Sequence, residues 1–128
     1  MIGATAAVVV ALATQQCPPR TLGPGARVVG GTKGAACLLA AYRRCRPAEY
    51  VLSGFGFGTT VIVNFSVQHW VGGCAVLVTR SVVTGRPQDP PAVTGPRVCR
   101  RLRATAVGAV ADRCGDGGPA AYRLTSFS

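Results

Sequence analysis

The segment ACLLAAYRRCRPAEY, residues 36–50, carries Cys37 and Cys45 together with Arg43, Arg44 and Arg46. Nearby cations stabilise a thiolate, so a free cysteine in this setting is a candidate nucleophile with a lowered pKa. The competing reading is a pair of half-cystines that fasten a helix to its surroundings. The chain has six cysteines, Cys17, Cys37, Cys45, Cys74, Cys99 and Cys114, and no C-x-x-C pair. That spacing argues against a zinc knuckle and against a thioredoxin-like redox couple. An even number of cysteines in so short a chain is the usage of a disulfide-stapled domain in an oxidising compartment. All six are therefore disulfide candidates, and fastening is the favoured reading. Cys99 and Cys114 lie near the two ends of an apparent hairpin and are expected to pair. Cys17 lies in a flexible lead-in and is expected to stay unpaired or to link to another chain.

Acid–base chemistry has few possible members. His69 is the only histidine, and Glu49, Asp89, Asp112 and Asp116 are the only acids. No spaced partner accompanies His69, and the acids form no pair of the kind that glycoside hydrolysis needs. Asp112 and Asp116 stand among glycines as a calcium loop would have them, but a turn needs the same residues. Three fragments are similar to parts of trypsin-like serine proteases: VVGG after Arg27, GGCAVLVTRSVVTG, and CGDGGP. CGDGGP has no serine between Asp116 and Gly117, no histidine follows VVTG, and the chain is about half the length such a double barrel needs. The similarity is ascribed to chance in a Gly- and Val-rich chain. The sequence thus predicts no catalytic residue, no bound metal, no cofactor, and a protein that is not an enzyme.

Charge is the stronger signal. The formal net charge is +10, from 14 Lys and Arg against four acids. Such a balance favours anionic partners. Besides Arg43, Arg44 and Arg46, a second cluster, RVCRRLR, supplies Arg97, Arg100, Arg101 and Arg103, and these seven are the candidate anion-binding residues. A GC-rich coding sequence is a competing cause, because Lys33 is the only lysine and Asn64 the only asparagine while Ala, Arg, Gly, Pro and Val abound. Nucleic acid is disfavoured, since no aromatic side chains interleave with the arginines of the second cluster. An anionic polymer or surface, or a protein, remains the expected partner.

These residues must be positioned by a small number of elements. Residues 1–13, MIGATAAVVVALA, have the uncharged run and small-x-small ending of a signal peptide. The run is far short of the roughly 20 residues of a membrane span, so the chain is not expected to be an integral membrane protein. Residues 14–34 form a Pro- and Gly-rich lead-in, and residues 35–128 a single small domain. AACLLAAYRRCRP is made of helix formers and stops at Pro47, with Leu38, Ala41, Tyr42 and Cys45 on one stripe. EYVLS is strand-like, and GFGFG turns the chain. TTVIVNFSV alternates Val61, Val63, Phe65 and Val67 with Thr60, Ile62, Asn64 and Ser66, the pattern of a half-buried strand, and CAVLVTRSVV makes its hairpin partner. His69 falls in the turn between them. Residues 84–96 form a proline-rich surface loop. Residues 98–111 fit strand or helix, and AAYRLTSF ends the chain as a strand. The resulting expectation is an α+β domain: one N-terminal helix packed on an antiparallel sheet of about four to five strands, stapled by disulfides.

The spacing C-x7-C-x-P-A at Cys37, Cys45, Pro47 and Ala48, the strand Phe65 to Val67, and Cys74, Cys99 and Cys114 together resemble small secreted proteins of high-GC soil bacteria. The resemblance spans about residues 36–120 and implies an exported bacterial domain, with no activity attached. The functional expectation is a secreted, non-catalytic basic domain that associates with anionic extracellular surfaces or polymers. The alternative is a disulfide-stapled protein-binding module, an inhibitor or an effector.

Overall fold

The computed structural model describes residues 14–23, 28–29, 31–56, 58–86 and 88–127. The signal peptide expected over 1–13 lies outside the described residues. The long hairpin is the centre of the fold. Strand β5 (Thr59–Trp70) pairs along its whole length with β6 (Gly73–Thr84), antiparallel, around a tight turn at Val71 and Gly72. The alternation in β5 sends Val63, Phe65 and Val67 into the core, and β6 adds Val76 and Val78 to the same face. On the other side of β5 lies β4 (Ala48–Gly56), which buries Ala48, Tyr50 and Leu52.

Two findings overturn the expected α+β arrangement of one helix on one antiparallel sheet. Among the described residues most are in strands, and these strands form two sheets. The lead-in contributes β1 (Gln15–Gln16) and β2 (Arg20–Leu22), both parallel to β4, and a third short strand, β3 (Val28–Val29), pairs with β2. Cys17-Pro18-Pro19 separates β1 from β2, because proline has no N–H to give to the ladder. At the opposite edge, β7 (Ala92–Cys99) pairs with β6, so the predicted surface loop ends at residue 91. Pro96 is tolerated there because β7 is an edge strand.

The chain then leaves the large sheet at Arg100 and builds a second one. Strand β8 (Arg101–Thr105) pairs with β9 (Gly108–Asp112), which pairs with β10 (Ala121–Arg123), all antiparallel. Residues 98–111 are therefore strand, but not a continuation of the first sheet. The single helix among the described residues, α1 (Lys33–Arg43), buries Leu38 and Ala41 between the sheets.

Three disulfides tie these parts together. Cys17–Cys37 joins the lead-in to the helix, Cys45–Cys74 joins the helix end to the hairpin tip, and Cys99–Cys114 closes the second sheet on the first. Cys17 is thus neither unpaired nor outside the core, being 5% exposed. The parallel pairing of β1 and β2 with β4 brings it under the helix. Beyond Tyr50, Phe65 and four buried leucines, the core is Val, Ala and Cys, so cross-links worth about 3 kcal/mol each are a substantial share of the stability. No helix among the described residues is long and apolar enough to cross a membrane.

Tyr50 sits where these parts meet. Its ring contacts Phe65 with centroids 5.8 Å apart, and its hydroxyl donates to the Leu124 carbonyl at 2.7 Å. A Cβ at Gly34, in the first turn of α1, would collide with this ring and with the Pro18 carbonyl, so glycine sets how closely the helix approaches β4. Burial pushes the Tyr50 phenol up to about 12, although the Arg20 charge pulls the other way. The raised value means that its contribution to stability is complete below about pH 10 and is lost as pH rises toward 12. Replacement Tyr50→Phe is expected to lower the urea unfolding free energy by about 1–2 kcal/mol at neutral pH, since the Leu124 carbonyl loses its donor. The variant should also lose less stability than the parent between about pH 10 and 12, which unfolding at matched pH values will check.

Candidate anion-binding site

The end of α1 is built from a specific set of backbone bonds. The Cys45 N–H donates to the Tyr42 carbonyl at 3.0 Å and the Arg46 N–H to the Ala41 carbonyl at 2.9 Å. Cys45 itself is left-handed, with φ +48°. This is the Schellman termination, which normally places glycine at the left-handed position. Here a cysteine occupies it and the disulfide to Cys74 holds it there. Pro47 follows, so the helix cannot continue. The two cysteines of the opening segment are half-cystines, and the arginines between and beside them are carried outward: Arg43, Arg44 and Arg46 are all exposed. They also oppose the negative end of the helix dipole.

The second arginine cluster is divided by the fold. The Arg97 guanidinium turns inward and donates to the carbonyls of Cys114 at 3.0 Å, Gly115 at 2.9 Å and Asp116 at 3.3 Å, to the Pro119 carbonyl, and to the Tyr122 hydroxyl at 3.1 Å. A fixed cation here satisfies loop carbonyls that would otherwise need water, and the CGDGGP segment folds around it. Arg101 makes a two-pronged pair with Asp112, at 2.7 and 2.6 Å, and Arg103 adds a bond of 2.9 Å. The Arg101 bond is the main reason that the Asp112 carboxyl is lowered to about 2, with Arg103 adding to it against the cost of burial.

Arg100 has a different placement. Its side chain is exposed, its carbonyl accepts from the Tyr42 hydroxyl at 3.0 Å, and its N–H donates to the Arg113 carbonyl at 3.2 Å. The helix end, with Arg43, Arg44 and Arg46, is therefore linked through Tyr42 to Arg100 in the bend between β7 and β8, and Arg100 in turn to Arg113, which follows β9. No ion pair occupies any of these five among the described residues. Arg113 is a member that sequence reasoning missed. The signal for it was available, because pairing Cys99 with Cys114 necessarily brings their neighbours Arg100 and Arg113 together.

The remaining candidates for acid–base chemistry have contacts of their own. His69 lies near the end of β5 rather than in the turn, directly across from Cys74, with Nδ1 3.5 Å from Cys45 Sγ. Asp89 accepts from the Thr84 hydroxyl at 3.0 Å, and Glu49 accepts from the Gln16 amide at 3.1 Å. No group of three metal-ligating side chains occurs among the described residues. Comparison with protein-family models, with curated proteins and with solved structures finds no match to this chain.

The ion-pair assignment for Asp112 has a measurable consequence. A folded-state pKa of about 2 against an unfolded value near 4 means that its stabilisation is complete above about pH 4 and is lost as pH falls through 2. Both arginines are roughly half-exposed, so the effect is discounted to on the order of 1–2 kcal/mol. Asp112→Asn is expected to cost that much at neutral pH and to flatten the stability curve between about pH 4 and 2, as followed by chemical unfolding.

Proposed function

We propose that the protein is an extracellular, non-catalytic basic domain that holds an anionic polymer or surface through the arginine corner of Arg43, Arg44, Arg46, Arg100 and Arg113. The observation that carries this reading is the Tyr42–Arg100 hydrogen bond, which joins the arginines of the helix end to Arg100, far away in the chain, and through it to Arg113. Export is supported by the three disulfides, which belong to an oxidising compartment. The corner is fixed by a disulfide on each side, at Cys45 and at Cys99, so the cations are presented without ordering a loop at the moment of binding. Its exposed guanidinium groups suit sulfates, phosphates or carboxylates repeated along a chain, for which several weak, screened contacts add up.

A protein-binding role draws support from a different place, the hairpin tip, where Trp70 is 39% and Val71 86% exposed. The two readings separate in one experiment. Binding to immobilised heparin, used as a generic polyanion, is expected to weaken steeply with salt. Combined Arg43→Ser and Arg44→Ser should weaken it about tenfold at low salt, from up to about 0.7 kcal/mol per contact. Lys33→Ser with Arg86→Ser removes the same charge elsewhere and should change it much less. Equal losses for the two pairs would mean that net charge alone drives binding, and salt-independent binding would rule out the arginine corner.

A further inference from the structure

The Cys45–Cys74 bond differs from the other two disulfides in its surroundings. Cys99 is fully buried and Cys114 nearly so, and Cys17 is buried against a half-exposed Cys37, whereas Cys45–Cys74 is the pair in which both members are half-exposed. The bond lies at the surface, where the helix end meets the tip of the hairpin. His69 stands across the hairpin from Cys74 and holds its Nδ1 3.5 Å from Cys45 Sγ. A disulfide sulfur carries no hydrogen, so the tautomer that makes this bond carries its proton on Nδ1, and the ring N–H is the donor. The exposed guanidinium groups of Arg43, Arg44 and Arg46 lie within two residues of Cys45 along the chain. Cys45 also holds a left-handed backbone, with φ +48°, which is unfavourable for a side chain with a Cβ.

We propose that Cys45–Cys74 is a thiol–disulfide exchange site that takes anionic low-molecular-weight thiols. The thiolate of the incoming molecule attacks Cys74 Sγ, a new sulfur–sulfur bond forms there, and the Cys45–Cys74 bond breaks with its electron pair leaving on Cys45 Sγ. The Cys45 thiolate is the better leaving group of the two, because the His69 N–H and the adjacent arginines stabilise its negative charge. A second thiol molecule then attacks the mixed disulfide and departs joined to the first, which releases Cys74 as a thiolate. Two thiols are oxidised to one disulfide and the protein gains two electrons; the protons released by the thiols are available to the two protein thiolates. The same arginines that stabilise the leaving group favour a thiol bearing a sulfonate or carboxylate over one bearing an amine. Opening the bond unties the helix end from the hairpin tip and frees Cys45 from its left-handed backbone. This chemistry does not rest on polymer binding, and its readout is a covalent adduct.

The test uses the oxidised full chain under native conditions, treated with mercaptoethanesulfonate or with cysteamine. Each rate is normalised to that thiol's rate on a small linear disulfide, and the products are alkylated and mapped by peptide mass. The expected result is that Cys45 and Cys74 become labelled at least about tenfold faster than the other two pairs. The sulfonate thiol should be preferred, less so at high salt, with the mixed disulfide found on Cys74. Substitution His69→Gln should slow the opening severalfold while the Cys99–Cys114 rate, an internal gauge of unfolding, stays unchanged. Simultaneous opening of all three pairs, an adduct on Cys45, equal normalised rates for the two thiols, or an unchanged rate in the His69→Gln protein would each overturn the proposal.

Discussion

The fold depends on how closely α1 can approach β4, and that distance is set by one aromatic ring resting against a residue with no side chain. Tyr50 fills the space that Gly34 leaves open, stacks toward Phe65 on the neighbouring strand, and reaches Leu124 near the end of the described chain with its hydroxyl. The lead-in, the helix, the large sheet and the C-terminal segment all meet at this residue. A core with so few large side chains has little redundancy, because each Ala or Val removes modest area from water. Three disulfides supplement it: two tie the helix and its end to the lead-in and the hairpin tip, and the third closes the β8–β9 pair where the chain enters from the large sheet.

Arginine is used in this molecule in two ways. Arg97 organises a loop by satisfying its carbonyls, and Arg101 and Arg103 neutralise Asp112 on the outer side of the small sheet. The net charge of the chain therefore overstates what is available to a partner. Arg43, Arg44, Arg46, Arg100 and Arg113 stay exposed, and the Tyr42 hydroxyl ties the helix end to Arg100, whose N–H bonds the Arg113 carbonyl.

Legibility in the sequence follows the range of the interactions. The helix and the β5–β6 hairpin are written locally, in the stripe of Leu38 and Ala41 and in the alternation from Val61 to Val67, and both are present. The strands of the lead-in carry no such pattern. β1 and β2 exist because their backbones find the free edge of β4, a partner more than 30 residues away, on either side of a Pro-Pro pair that suggests only a loop. The second sheet was hidden for a related reason: Leu102, Ala109 and Ala111 alternate as any strands do, and nothing local says that the chain leaves the first sheet at Arg100. The division of the arginines depends on the same long-range placement. Arg97 and Arg100 look equivalent in RVCRRLR, yet one faces the CGDGGP loop and the other faces solvent.

In the proposed function the arginines of the helix end act as one surface with Arg100 and Arg113. Hydrogen exchange, measured with and without a heparin-derived oligosaccharide, tests it most directly because it reads the two segments separately. Slowed exchange is expected together at residues 42–46, 99–101 and 113, with little change at the hairpin tip. Protection confined to residues 69–73, or to only one of the two arginine segments, would contradict it.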